Sequence, residues 1–467
     1  MRPSLIKSGQ LCVVFLACVT AAIAAPVLNK PSDLQMAFAS GSSSITENPP
    51  TSGQYDVIVQ VEGENGGLLT SSNFRGWWGC EIMGLAGGET LNCTVTNFGF
   101  SDLILPVVST STDGTNFTTP TRIPDAGSLA DNVVGSPQNA FDFQFVVPAS
   151  VTHVRLWKYF PYTIADKDAL LAGLPAVDVN GPVRFNGPVG LSTELRDIDM
   201  IELSNGMDDT GKHRVWIHAG IHCAETTSYF VVEGLVDFLL NSGSFEAQQI
   251  LDNLIIDIVP MLNPDGVARG NYRASAPNPP SDPSGADMEA HYFDSGIGTS
   301  DFSECQTVID QIKFWNGEPG STSPTANPVE IILNLHSTHG SSWPYHFRHN
   351  PIYPPNGVIS AVTALEDLWI TAFRLRSPQL VNLGTNGSSS LLPRAYVEAF
   401  AHDFYSNDVL YTGPDIMAIT YEGTYQGGHG TVWNDQDDYR DNGVEMALAL
   451  MDYFGIVPVE LSVFQTD

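Results

Sequence analysis

Gly220-Ile221-His222-Cys223-Ala224-Glu225-Thr226 sets a histidine and a carboxylate three residues apart, just after the apolar run Val215-Trp216-Ile217 and just before the apolar-periodic stretch 227–240. Further on, His336 closes Ile331-Ile332-Leu333-Asn334-Leu335, and Glu422 closes the apolar run 416–421. Asn263-Pro264-Asp265-Gly266 follows the apolar run 254–262 and leads to Arg273. Catalytic zinc takes three protein ligands from histidine and carboxylate and keeps a fourth position open, so His222, Glu225 and His336 make up a complete set. Taken singly, the signals are weak: surface helices produce His-x-x-Glu by chance, and a strand-end histidine can be satisfied by hydrogen bonds alone. Hydrolysis also needs a base for the proton of a metal-bound water and a cation for the developing oxyanion. Glu422 ends an apolar strand, where partial burial would tune its pKa toward neutrality. Arg273 follows a turn that aims it back at the strand ends. A structural ion pair for Glu422 and a surface position for Arg273 are the alternatives.

All four groups fall at or just past the ends of apolar runs that read as strands, and in an open α/β sheet ligands bind at the carboxyl ends of strands. Helical periodicity over 227–240, near 358–376 and near 441–454 alternates with those runs. The pattern predicts an α/β domain over 179–460, a mixed, largely parallel sheet flanked by helices. Residues 53–178 show short alternating runs such as Tyr55-Asp56-Val57-Ile58-Val59-Gln60-Val61, with turn residues between them. They predict a small antiparallel β-sandwich or barrel. Residues 26–52, rich in Ser, Pro, Thr and Asn, read as a flexible linker.

Residues 1–25 read as a signal peptide cleaved near Ala24 or Ala25, which predicts a secreted or periplasmic protein. Of six cysteines, Cys12 and Cys18 would leave with that segment. Cys80 with Cys93 is the expected disulfide, with Cys223 and Cys305 either paired or free. Asn92, Asn116 and Asn386 lie in glycosylation sequons. A formal charge of −32 would repel nucleic acid and anionic membranes. After the first 25 residues no apolar stretch is long enough to span a membrane.

In its ordered motifs the chain resembles the zinc metallocarboxypeptidases, and among them the cytosolic-carboxypeptidase-like branch. The matching pieces are Gly220 to Thr226, Asn263 to Arg273, Asn334-Leu335-His336 and Thr420-Tyr421-Glu422, with Lys158-Tyr159-Phe160-Pro161-Tyr162-Thr163 at the end of the β-domain. The resemblance implies one zinc ion on His222, Glu225 and His336, Glu422 as general base and Arg273 as the carbonyl-polarising group. It also implies a sheet of about eight strands and a peptide or protein substrate. One match fails: relatives carry Asp-Leu-Asn-Arg, whose Asn and Arg grip the substrate's terminal carboxylate, and here Asp287-Met288-Glu289-Ala290 stands instead. A glutamate would repel that carboxylate. Arg348 is the candidate replacement cation, and Tyr405 and Tyr411 are the candidates for a substrate-capping tyrosine. Three activities stay open: a carboxypeptidase, a zinc endopeptidase, amidase or deacylase, and a zinc-binding scaffold without turnover.

Overall fold

The computed structural model describes residues 25–31, 34–37, 41–99, 104–124, 130–133, 139–296, 298–318, 326–338, 344–349, 358–377, 396–406, 408, 410–425 and 433–456. The signal-peptide reading, apart from residue 25, and the Asn386 sequon fall outside them.

The larger sheet has seven strands among the described residues, where about eight were expected: β1 (Val183–Leu191), β2 (Asp197–Leu203), β3 (His213–Ala219), β4 (Leu254–Val259), β5 (Val329–Thr338), β6 (Tyr345–Phe347) and β7 (Met417–Thr424). Their spatial order is β1-β2-β4-β3-β5-β7-β6. The central strands β4, β3, β5 and β7 are parallel, and the flanking pairs are antiparallel. Strands covered on both faces read as near-continuous apolar runs, which is why β3, β4, β5 and β7 stand out in the sequence.

Alternation divides their side chains between two cores. Val215, Ile217, Ile331, Leu333 and Ile419 face α1 (Thr227–Asn241), α2 (Phe245–Asn253), α4 (Ser360–Arg376) and α5 (Gln436–Tyr453). Trp216, Ile332 and Ala418 face α3 (Ser303–Asn316) and the short helix Val397–Ala401. Helices α1 and α5 cross almost backbone to backbone: a Cβ on Gly234 would lie 2.0 Å from the Arg440 carbonyl oxygen, and one on Gly443 2.1 Å from that of Val231. Strand β3 lies between β4 and β5, so the chain leaves it to one side and returns on the other. That switch point is where an open α/β sheet forms its crevice.

The preceding unit is a sandwich of two five-stranded sheets around Val57, Trp78, Leu91, Phe141 and Leu156. Every strand pair in it is antiparallel except Gln54–Gln60 with Thr90–Phe98, which run parallel. The expected linker over 26–52 is corrected here. Val27–Asn29 and Ser44–Glu47 inside it are edge strands, one on each sheet. An edge strand is held by its backbone, so a polar composition does not prevent it. The expected Cys80–Cys93 disulfide is also corrected: Cys80, Cys93, Cys223 and Cys305 are all buried free thiols.

Sandwich and sheet are bonded directly to each other. Tyr159 stacks on Tyr425 at 3.9 Å, Tyr162 stacks on Tyr229 at 4.7 Å, and Thr163 caps the helix Ile164–Gly173 that leads to β1. The segment between those two edge strands contributes Gln35, whose side-chain amide donates to the Cys223 carbonyl at 3.3 Å.

Candidate metal centre

His222 follows β3 by way of Gly220, whose φ of +73° only glycine adopts readily; a Cβ there would stand 2.3 Å from the Tyr229 ring. Tyr229 closes the turn by donating its hydroxyl to the Cys223 carbonyl at 2.8 Å. The Glu225 amide donates to the His222 carbonyl at 3.1 Å, which folds the two side chains together. His336 lies within β5, and Glu422 is its register partner on β7.

His222, Glu225 and His336 are buried, and one donor atom from each lies within 4.8 Å of the others. His222 Nδ1 is 3.0 Å from Glu225 Oε1, His336 Nδ1 is 2.9 Å from Glu225 Oε2, and the two Nδ1 atoms are 3.1 Å apart. Ligand atoms about 2.0–2.2 Å from a tetrahedral ion sit roughly 3.3–3.5 Å from one another. The three donors are therefore within about half an ångström of a zinc-sized cage.

Two further carboxylates hold the outer side of each ring. Asp287 Oδ1 is 2.9 Å from His222 Nε2, and Glu289 Oε2 is 3.2 Å from His336 Nε2. Metal-ligating histidines are oriented in this way, with the carboxylate fixing the tautomer and raising ligand basicity. Glu225 is fixed by Tyr272, whose hydroxyl donates to Oε1 at 3.1 Å, and by the Ser337 amide, which donates to Oε2 at 3.0 Å.

The electrostatics favour a cation at the centre. Burial alone would depress His222, but Glu225 and Asp287 lift it to about 9. Burial likewise opposes protonation of His336, and Glu289 and Glu225 override it, holding His336 well above the usual histidine range. Burial would raise Glu225, yet the two histidines hold it well below the usual carboxylate range. Burial first, and then Glu225, push the Glu422 carboxyl up to about 8. Glu422 Oε2 is buried with no hydrogen-bond partner among the described residues.

Arg273 reaches the same place from the segment after β4. Its Nη1 donates to Asp287 Oδ2 at 2.9 Å, and its Nη2 lies 3.7 Å from Glu225 Oε1. The sandwich anchors its backbone, since the Arg273 amide donates to Glu64 Oε1 at 3.1 Å and the Ala274 amide to Glu64 Oε2.

Other expected residues lie elsewhere. Both sides of the Arg348 guanidinium fork are taken by the Asp367 carboxylate on α4. The Tyr405 hydroxyl donates to the Gly317 carbonyl at 3.0 Å, and Tyr411 accepts from the Asn316 amide at 3.0 Å. Both tyrosines are packed into the core between β7 and α3. Glu289 is at the centre but faces His336 and Asn334, and Ala290 beside it is exposed. Sequence reasoning missed Asp287 as a partner of His222, and it missed Tyr396. Tyr396 has Glu289, Asp287, Glu398 and Arg273 as its charged neighbours. Its only signal was a position at the start of a short helix upstream of Glu422.

Residues 187–357 match the family model described as zinc carboxypeptidase. The chain is 31% identical over 138 residues to cytosolic carboxypeptidase 6 of Mus musculus, covering 29% of this chain and 24% of that protein. It is 30% identical over 142 residues to cytosolic carboxypeptidase 2 of Mus musculus, covering 29% of this chain and 15% of that protein. The chain thus spans a quarter or less of the length of these curated relatives. The expected secreted location is corrected by them: these relatives are cytosolic carboxypeptidases by name. A metallo-carboxypeptidase from Burkholderia cenocepacia shares the fold at TM-score 0.66 and 18% identity, over 92% of this chain and 99% of that one. So does a metallo-carboxypeptidase from Pseudomonas aeruginosa solved with (2-guanidinoethylmercapto)succinic acid, at TM-score 0.66 and 17% identity, over 92% of this chain and 99% of that one.

Proposed function

We propose that this chain, whose residues 187–357 match the zinc carboxypeptidase family model, is a zinc-dependent hydrolase of peptide bonds in peptide or protein substrates. His222, Glu225 and His336 hold one zinc ion, and Asp287 and Glu289 orient the two rings. When bound, zinc supplies Lewis acidity that polarises a carbonyl and makes water more acidic. Glu422, opposite His336 and with a free carboxylate oxygen, accepts the proton of the attacking water and passes it to the leaving amine. Arg273, steadied by Asp287 and Glu64, donates to the carbonyl oxygen as negative charge develops there. The β-sandwich, expected over 53–178 and extended by the two edge strands within 26–52, serves the catalytic unit proposed over 179–460 by fixing the backbone of that arginine.

One observation carries the reading: three buried donors converge within 4.8 Å, with carboxylates behind both rings and, beside them, a Glu422 oxygen that has no hydrogen-bond partner among the described residues. The test pairs zinc analysis with mass-spectrometric mapping of a digested peptide library. Glu422→Gln is expected to keep its zinc and lose nearly all hydrolysis. Full activity in that variant would sink the base assignment.

A second reading concerns where the substrate is cut. Ala290 is exposed, Glu289 is negative and Arg348 is engaged by Asp367, so among the described residues the terminal-carboxylate grip has no cation. This favours substrates whose C-terminus is extended or blocked, cleaved as by an endopeptidase or amidase. Release of single C-terminal residues in the library digest would decide for the carboxypeptidase instead.

A further inference from the structure

Asn334 on β5 and Thr420 on β7 are direct register partners, two residues before His336 and Glu422 on the same strands. The period of two puts all four side chains on one face of the sheet, the α3 face. Each member of the lower pair holds a buried carboxylate. The Asn334 amide donates to Glu289 Oε1 at 2.8 Å, and the Thr420 hydroxyl donates to Glu398 Oε1. Neighbouring strands are about 4.8 Å apart, so the two anchoring residues lie side by side beneath the metal-binding row.

Both are almost fully enclosed, Glu289 at 3% exposure and Glu398 at 2%. Among the described residues, Glu398 Oε2 has no hydrogen-bond partner, and Glu289 Oε2 has the 3.2 Å ion-pair contact to His336 and no hydrogen bond. After burial, Glu289 is the largest influence on Glu398 and pushes its carboxyl up, an independent sign that the two are near neighbours. No lysine or arginine forms an ion pair with either of them among the described residues. The nearest described arginine at the centre, Arg273, is engaged by Asp287. Asn334 and Thr420 each satisfy one oxygen, His336 faces Glu289 and His349 acts on Glu398, but the second oxygen of each carboxylate keeps acceptor capacity that suits a ligand bringing N–H groups and a positive charge.

Depth fixes what kind of ligand this is. Glu289 touches the metal-binding row itself, 3.2 Å from His336, whereas Glu398 is anchored at Thr420, two residues and about 6.6 Å back along the strand from Glu422. A side chain starting beside the scissile bond must cross that distance before presenting its charge, and the extended stems of lysine and arginine do so. We propose that Glu289 and Glu398 form a cation-recognising subsite that selects substrates with a lysine or arginine side chain next to the scissile bond. This rests on the hydrolase reading above and names its substrate class.

The test uses the zinc-loaded full chain and a peptide series that varies one residue on either side of the cleaved bond among Lys, Arg, Leu and Glu. A preference of at least about tenfold in kcat/KM for Lys or Arg over Leu is expected, as one charge-assisted contact provides. Glu398→Gln should collapse that ratio, and Glu398→Lys should invert it toward Glu. Equal or better cleavage of Leu or Glu peptides by the unmodified chain overturns the inference and leaves the hydrolase reading standing. If no peptide is cleaved, the hydrolase reading falls, and titration calorimetry with agmatine decides the subsite alone. Binding that Glu398→Gln abolishes supports it, and no binding to the unmodified chain overturns it.

Discussion

Asp287→Ala would remove the one carboxylate that joins a metal-binding ring to the oxyanion arginine, and its cost follows from two bonds. Oδ1 lies 2.9 Å from His222 Nε2, and Oδ2 accepts from Arg273 Nη1 at 2.9 Å. Loss of the outer partner of a metal-ligating histidine typically lowers metal affinity about 10- to 100-fold, roughly 1.4–2.7 kcal/mol. The arginine suffers separately. Freed from Asp287, it keeps the 3.7 Å contact to Glu225 and its place over the Tyr272 ring, and is drawn toward that carboxylate, away from the substrate carbonyl. A displaced oxyanion donor costs up to about 100- to 1,000-fold in turnover. Chelator competition should therefore show a zinc Kd about 10- to 100-fold weaker. At saturating zinc, kcat should still fall, because the second loss is independent of occupancy. Asp287→Asn keeps an acceptor for one partner but not the charge, and should lie between the two. An Asp287→Ala enzyme with Kd and kcat both within about threefold of the unmodified chain would refute the bridging role.

Three other perturbations test separate steps. Arg273→Ala should keep its zinc and lose about 100- to 1,000-fold in kcat; retention of full turnover on a cleaved peptide would remove the arginine from the mechanism. Gly220→Ala forces a Cβ to within 2.3 Å of the Tyr229 ring at a φ of +73°, and urea unfolding should show a loss of about 2 kcal/mol or more. His346 accepts from the Trp369 indole at 2.9 Å, and burial first, then Arg374, depress its pKa to about 3. The unfolded chain takes up that proton first, near pH 6.5, so His346's contribution is complete above that pH and is lost as the pH falls. Urea unfolding should show about 1.4 kcal/mol lost between pH 7.5 and 5.5 that His346→Gln does not share.

The legible parts of the fold were those whose burial is symmetric. Strands β3, β4, β5 and β7 are covered on both faces, so each reads as an unbroken apolar run, and the chemistry falls at or just past their ends. Strand β1 passed unnoticed because it is the outer edge of the sheet and alternates exposed and half-buried positions with two glycines and a proline, and the neighbouring β2 because acidic residues interrupt its apolar run. Helix α3 was missed for a related reason: its buried side includes Glu304 and Asn316, satisfied by the Thr193 amide and the Val329 carbonyl outside the helix, and Thr307, which bonds back to the Ser303 carbonyl. The zinc-ligand candidates needed only local spacing and strand ends. Their outer partners needed contacts across 65 residues for Asp287 and His222, which no single-chain pattern reveals. Choosing among tyrosines 396, 405 and 411 was likewise a question of which one the short helix Val397–Ala401 turns toward the carboxylates, a tertiary fact.

Glu289 shows how a departure from a family pattern can be read at two depths. From sequence alone it is a lost carboxylate grip, which suggests decay. In the fold the same carboxylate lies 3.2 Å from His336 Nε2, where an asparagine would bring no charge to the ring. The residue that would turn away a C-terminal carboxylate thus strengthens the hold on the metal-binding histidine. Glu398, anchored one strand over by Thr420, adds a second negative charge. A site drifting toward inactivity has no reason to bury a second carboxylate beside the first at a cost in desolvation. His336 and the Asn334 and Thr420 donors offset part of that cost and an entering cation would offset the rest, so the pair is better explained by a changed substrate than by a lost one.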